Sequence, residues 1–281
     1  MNPPSQRAPL ALDWGARAPG HRGVRRRLAK FGAMEIPAAA VPYILLQRTQ
    51  HLGFLRSPWA MRLFWLADRL AGGSGRDVFG SPIFHRAVRL EAAFRGGRVR
   101  RLYAAEIGAE FEALRLHLPA RCASILDVGC GVAGIDALLY RHFAASSPRI
   151  HLLDKTVTSD RIYYGFKGTA AFYNSLDVAR ALLRANGVPG DRITIHEAAP
   201  DFSVAPDQEL DLVISLISWG FHYPVATYLD PVHALLAADG RLILDVRGGT
   251  DGEEEVRQRF GAVRVIEERP RHRRLLAMKA G

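Results

Sequence analysis

Cysteine is scarce: Cys122 and Cys130 are the only two in 281 residues. They lie eight residues apart on either side of a predicted strand. That geometry suggests no disulfide, and no Cys/His cluster with metal-ligand spacing accompanies them. A disulfide-stapled scaffold and a zinc module are therefore disfavoured, and a reducing, cytoplasmic compartment is expected. Long apolar runs are missing as well. The segment 38–46 falls short of the roughly 18 apolar residues of a spanning helix and contains Pro42, so no membrane span is expected. Lysine is almost absent, with four against thirty-four arginines, a bias that fits a GC-rich coding sequence.

What is abundant is positive charge, +10 overall. Residues 1–30 carry seven basic groups and one acid, 31–119 twelve and seven, and 120–281 nineteen and twenty. The excess sits upstream of the chemistry-bearing half, so nucleic acid is not the expected partner. Residues 1–33 read as a basic tail without fixed structure, with Arg25, Arg26 and Arg27 as solvated charge. Met34 stands as a second candidate start. Residues 34–119 read as a helical extension. Within it, Trp59, Leu63, Leu66 and Leu70 follow a 4-3-4 spacing after Ser57-Pro58, and a second helix is expected over about 102–118. Such helices serve either packing or a cap over a substrate cleft.

The chain is organised around the run from Ile125 to Asp136. An apolar strand, 124–128, carries Asp127 near its end and breaks into a turn containing Gly129, Gly131 and Gly134. Apolar positions Ile135, Leu138, Leu139 and Phe143 then follow at helical spacing. A bare-backbone turn lets a ligand approach and points free N–H groups at it. Dinucleotides and S-adenosylmethionine both use such turns. Asp127 separates them, because a carboxylate there would repel a diphosphate and attract an ammonium or sulfonium.

Leu126-Asp127-Val128-Gly129-Cys130-Gly131 resembles the first motif of class I S-adenosylmethionine-dependent methyltransferases, with Ala133 where that family carries a third glycine. Downstream the pattern alternates strand and helix: strand 149–153 ending at Asp154, helix 175–185, strand 192–196 followed by Glu197, and strand 209–217. Further on come a helix over 225–238, a strand over 241–247, a helix over 252–260, and two strands, 262–267 and 273–278, whose short connection fits a hairpin. The expected fold is α/β, a doubly wound seven-stranded, mostly parallel sheet with an antiparallel C-terminal strand pair, over residues 120–281, plus the helical N-terminal extension.

The resemblance implies S-adenosyl-L-methionine as cofactor and methyl transfer to an oxygen or nitrogen of a small-molecule or glycan acceptor. On the first motif it implies cofactor contacts from Asp127, Gly129, Cys130 and Gly131. On later strand ends it implies Asp154 for the ribose, Glu197 and Ala198 for the adenine, and Ser215 and Trp219 beside them. Ser218-Trp-Gly-Phe-His-Tyr-Pro224 leaves the fourth strand at the edge where open α/β sheets bind ligands. Its aromatics can enclose a sulfonium. His222 is the candidate catalytic base, with Phe221 and Tyr223 as substrate contacts. Tyr163 and Tyr164, in the long connection 155–173, are further candidates for a substrate wall. An NAD(P)-dependent oxidoreductase using the same glycine turn, or an RNA-modifying methyltransferase, are the alternatives.

Overall fold

The computed structural model describes residues 33–279 except 76, 157–173, 200, 202, 203, 205 and 207. The tail 1–32 and the loop carrying Tyr163 and Tyr164 thus lie outside the described residues. The described residues open with three helices, α1 (Ala40–Gln47), α2 (Pro58–Leu70) and α3 (Phe84–Leu114). It continues as β1 (Ser124–Val128), α4 (Gly134–His142), β2 (Arg149–Asp154), α5 (Leu176–Ala185), β3 (Ile193–Glu197) and β4 (Leu210–Ser215). After an extended segment, Ser218–Tyr223, come α6 (Leu229–Leu235), β5 (Leu236–Arg247), α7 (Gly252–Arg259), β6 (Ala262–Arg269) and β7 (His272–Met278).

The seven strands form one sheet in the order β3-β2-β1-β4-β5-β7-β6. The pairs from β3 to β5 are parallel, whereas β7 runs antiparallel to both neighbours. β1 is central and buried along its whole length, which is why it reads as a nearly continuous apolar run. Its register sets Asp127 beside Leu152 of β2 and Ile214 of β4. One face of the sheet shares a single apolar core with α1, α3, α4 and α5 (Ile44, Phe111, Ile125, Leu139, Leu182). The other face, with Leu126, Val213 and Leu244, packs on α6, α7 and Trp219 of the extended segment. Asn186 ties the extension to the end of α5: its side-chain oxygen accepts from the Glu35 N–H (3.0 Å) and its amide donates to the Glu35 carbonyl (2.7 Å).

Three sequence expectations are corrected. The helix expected over 102–118 starts eighteen residues earlier and runs through Gly96 and Gly97, which weaken the helical pattern. Gly96 lies against Val41 of α1, where an added Cβ would reach ordinary contact at 3.9 Å. The helix expected over 225–238 is only a short turn, Val225–Thr227, and seven residues of α6. β5 already begins at Leu236, opposite Leu210, so pairing overrides the helical tendency of Ala237-Ala238. Finally, α2 forms where Ser57 caps it (Oγ accepts from Ala60 N–H, 3.3 Å) and Pro58 starts it, but its apolar stripe faces outward. Trp59 is 73% exposed and Leu70 83%.

Candidate cofactor site

The glycine turn joins the end of β1 to α4. Gly129 (φ 78°) and Gly131 (φ 54°) occupy the left-handed region, and so does Ala133 (φ 59°), at the position immediately before the helix. Each motif glycine also meets a neighbouring side chain that would have to shift to admit a Cβ. A Cβ on Gly129 would lie 1.8 Å from Ser218 Oγ, one on Gly131 2.9 Å from Gln47 Oε1, and one on Gly134 2.3 Å from the Tyr103 hydroxyl. The turn is therefore gripped by the extended segment on one side and by α1 and α3 on the other.

Acids crowd this turn. Asp127 is 3% exposed and Asp136, in the first turn of α4, is fully buried. The Asp136 carboxyl lies against that of Asp127, within hydrogen-bonding reach of it, and is the charge that acts most strongly on Asp127. Asp154, at the end of β2, accepts from Gly131 N–H (2.9 Å), Lys155 N–H (2.7 Å) and Asn174 Nδ2 (3.0 Å). Glu197 stands beside it in register on β3, exposed, and accepts from Thr156 N–H at 2.8 Å. Burial, and then the charges of Asp136 and Asp154, push the Asp127 carboxyl well above its ordinary value. Burial takes Asp136 from 3.8 to about 7 against its hydrogen bond with Asp127, and burial, with a smaller push from the Glu197 charge, takes Asp154 from 3.8 to about 6 against its three donors.

The linkage follows from those directions. A carboxyl whose folded value is raised favours the folded state while protonated, so its stabilisation is present at low pH and lost as pH rises through the folded value. Ligand-free protein should accordingly lose thermal stability from about pH 4, the ordinary carboxyl range, up to the folded values of about 6 for Asp154 and about 7 for Asp136. Asp136→Asn should flatten that slope in fluorimetric melting curves. An unchanged slope would show that Asp136 is ionised at no such cost.

The remaining expected site residues divide into two groups. Ser215 is fully buried and bridges two elements, donating to the Val128 carbonyl (2.7 Å) and accepting from Trp219 N–H (2.9 Å). Trp219 is likewise a core residue: its ring is fully buried and its Nε1–H donates to the Val225 carbonyl at 2.7 Å. That sets the indole in the packing beneath the turn, not at its mouth. Cys130 is buried, and burial and then Asp154 push its thiol well up, so it has no thiolate to offer. Tyr223 is buried, its hydroxyl hydrogen-bonded to Ser218, the residue that touches Gly129. Phe221 is buried between the Arg247 guanidinium (5.1 Å) and the ring edges of His222 and His272. His222 is half-exposed, as is Ser218, whereas the residues between them are buried. Ala198 is half-buried, its N–H bonded to the Asp154 carbonyl at 2.8 Å.

Residues that sequence reasoning did not assign also reach the turn. Tyr103 of α3 lies over Gly134 with the Arg48 guanidinium 4.9 Å from its ring, and burial pushes its hydroxyl up to about 12. Gln47 closes on Gly131. Neither carries a local signal, since both come from the extension. Asp136 does carry one, an acid two residues after the last motif glycine, but an acid in the first turn of a helix is also the ordinary response to the helix dipole. Two surface hollows, one bounded by Ala226, Leu229 and Arg259 and the other by α1 and α3 residues around Phe94, are lined by no residue of the turn.

The site sits at the carboxyl ends of parallel strands, in the doubly wound, mostly parallel seven-stranded sheet with an antiparallel C-terminal pair that is expected from the sequence. No protein-family model matches the chain, and no curated protein sequence matches it. Solved structures are similar to it at low identity. A precorrin-6y C5,15-methyltransferase from Geobacter metallireducens is 16% identical, with 63% of this chain and 89% of that one covered and a TM-score of 0.44. A putative O-methyltransferase from Nostoc punctiforme is 16% identical, with 80% and 71% covered and a TM-score of 0.45. A 16S rRNA N2 G1207 methyltransferase from T. thermophilus, solved with S-adenosylmethionine and guanosine, is 15% identical, with 62% and 43% covered and a TM-score of 0.43.

Proposed function

We propose that this protein is an S-adenosylmethionine-dependent methyltransferase acting on an oxygen or nitrogen of a small-molecule or glycan acceptor. The observation that carries this reading is the buried acid cluster at the glycine turn. Asp127 and Asp136 face each other with Asp154 nearby, and the charges that raise Asp127 are those of the other two. A cationic ligand relieves that repulsion, whereas a diphosphate in the same turn adds to it. The acids fit the cofactor: Asp127 and Asp136 would hold the ammonium, Asp154 would take the ribose, and Glu197 with Ala198 the adenine, with the Ser218 and Gln47 side chains moving off Gly129 and Gly131 to admit it.

When bound, the cofactor supplies a methyl on a sulfonium, a group already activated for in-line displacement. The protein's own task is alignment and proton management. Phe221 and Tyr223 fix the extended segment, and His222, on that segment and half-exposed, holds the proton an acceptor hydroxyl or amine gives up. Residues 34–119 act as a cap, since Gln47 and Tyr103 already close on the turn.

Calorimetric titration tests the cofactor. Micromolar binding of S-adenosylmethionine or its demethylated product with none of NAD(P) is expected, and the reverse would overturn the proposal in favour of an oxidoreductase. The acceptor is sought by screening metabolite extracts and RNA with labelled donor. Methylation of RNA alone, with salt-dependent affinity lost on removing residues 1–33, would move the reading to an RNA-modifying enzyme. His222→Ala should lower turnover by about 10²-fold or more with cofactor affinity intact. Loss of cofactor affinity would mark His222 as structural.

A further inference from the structure

We propose that α2 docks this protein on the surface of an anionic lipid bilayer, a role independent of the methyl-transfer reading. Trp59, Leu63, Leu66 and Leu70 form one stripe along the helix and are 73%, 67%, 58% and 83% exposed. The helix is not loose. Its opposite face is anchored by Phe64, stacked on Phe54 at 5.4 Å, and by the buried Asp68 carboxylate, which accepts from Ser81 Oγ (2.6 Å) and Gly75 N–H (2.9 Å). Phe64 and Asp68, four residues apart, fix the rotation of the helix, so the stripe is held outward.

Charge selects the occupant. Residues 54–102 contain ten arginines and three acids. Of those acids Asp68 is buried and Glu91 is paired with Arg95. Arg62 and Arg69, seven residues apart, flank the stripe on one side, and Arg62 lies 5.1 Å from the Trp59 ring. α3 adds exposed Arg86, Arg89 and Arg98 next to exposed Leu90 and Phe94. A second copy would bring the same positive face against this one, and the tail, with seven basic groups in residues 1–30, would be repelled for the same reason. An anionic bilayer meets both requirements, since it buries the apolar stripe at the acyl boundary and pairs the arginines with lipid phosphates. No helix among the described residues is long and apolar enough to cross a membrane, so the contact lies in the plane of the interface.

The test is co-sedimentation of the full chain with vesicles containing phosphatidylglycerol, run in parallel with pure phosphatidylcholine. Binding to the anionic vesicles is expected, weaker at high salt and weaker on phosphatidylcholine. The quadruple variant W59S/L63S/L66S/L70S should lose about tenfold or more of that partitioning, and R62E/R69E should lose it selectively on anionic lipid. All six positions are exposed, so both variants should keep the wild-type circular dichroism and melting temperature. Absence of vesicle binding at low salt, or equal binding by the quadruple variant, overturns the proposal. So does a wild-type dimer that the quadruple variant dissolves, which would make the stripe an interface between copies.

Discussion

Asp127→Asn is expected to make the ligand-free protein more heat-stable at neutral pH and, at the same time, to remove most of its affinity for S-adenosylmethionine. The two effects share one cause. Asp127 is buried, raised well above its ordinary value by burial and by Asp136 and Asp154, and set at the turn where the cofactor's positive end would lie. An uncharged isostere ends the cost of burying an ionisable carboxyl there at neutral pH, so the fold gains. The ligand's ammonium loses its counter-charge in a desolvated place, a loss of about 2–5 kcal/mol, or at least ~30-fold in affinity. Melting curves at pH 7.5 and calorimetric titration on the same preparation decide it. A variant that melts lower and binds as tightly would show that the carboxylate is structural, and the proposed function would lose its main support.

The same pairing explains what could and could not be read from the sequence. The placing of Asp127, Gly129, Gly131, Asp154 and Glu197 at strand ends and a turn was legible because these leave local marks: an apolar run, an acid, a glycine. The sheet was legible for the same reason, down to the hairpin that makes β7 antiparallel. The direction of the α2 stripe was not. A 4-3-4 spacing defines a face, and only tertiary contacts such as Phe64 on Phe54 decide whether that face looks inward. The start of β5 was hidden because Ala237, Ala238 and Asp239 carry no strand preference, and pairing with β4 decides it. Ser215 and Trp219 stand where the resemblance pointed, yet their polar atoms are consumed in holding the backbone near the turn. Gln47 and Tyr103 arrive from helices distant in sequence, and no residue pattern announces them.

Arg274→Met should be the most destabilising single change outside the apolar core. Its guanidinium is 1% exposed and grips the fully buried Asp245 with two bonds, Nε to Oδ1 at 2.7 Å and Nη2 to Oδ2 at 2.8 Å. Nη1 pairs with Glu110 of α3 at 2.8 Å and with Glu267 of β6 at 3.0 Å, so one side chain ties β5, β6, β7 and the extension together. Burial alone would raise Glu110, but Arg274 and then Arg269 outweigh it and hold that carboxyl below its ordinary value. Removing the guanidinium strands Asp245 in the interior, where an uncompensated charge costs about 3–5 kcal/mol, a large part of a typical domain's stability. The loss should also reach the site. Asp245 Oδ2 accepts from the Ile217 N–H at 3.2 Å, and Ile217 has a φ of 54°, a conformation rare for a β-branched residue. That strained residue directs Ser218 onto Gly129, so cofactor affinity should fall along with the denaturation midpoint. Adding Asp245→Leu removes the stranded charge and should restore much of the stability, because a buried pair replaced as a unit costs far less than a broken one. It cannot restore the bond to Ile217, so cofactor affinity should stay low while the midpoint recovers. Urea unfolding and titration of both variants check this, and recovery of the two quantities together would mean that Asp245 supports the fold without positioning the turn.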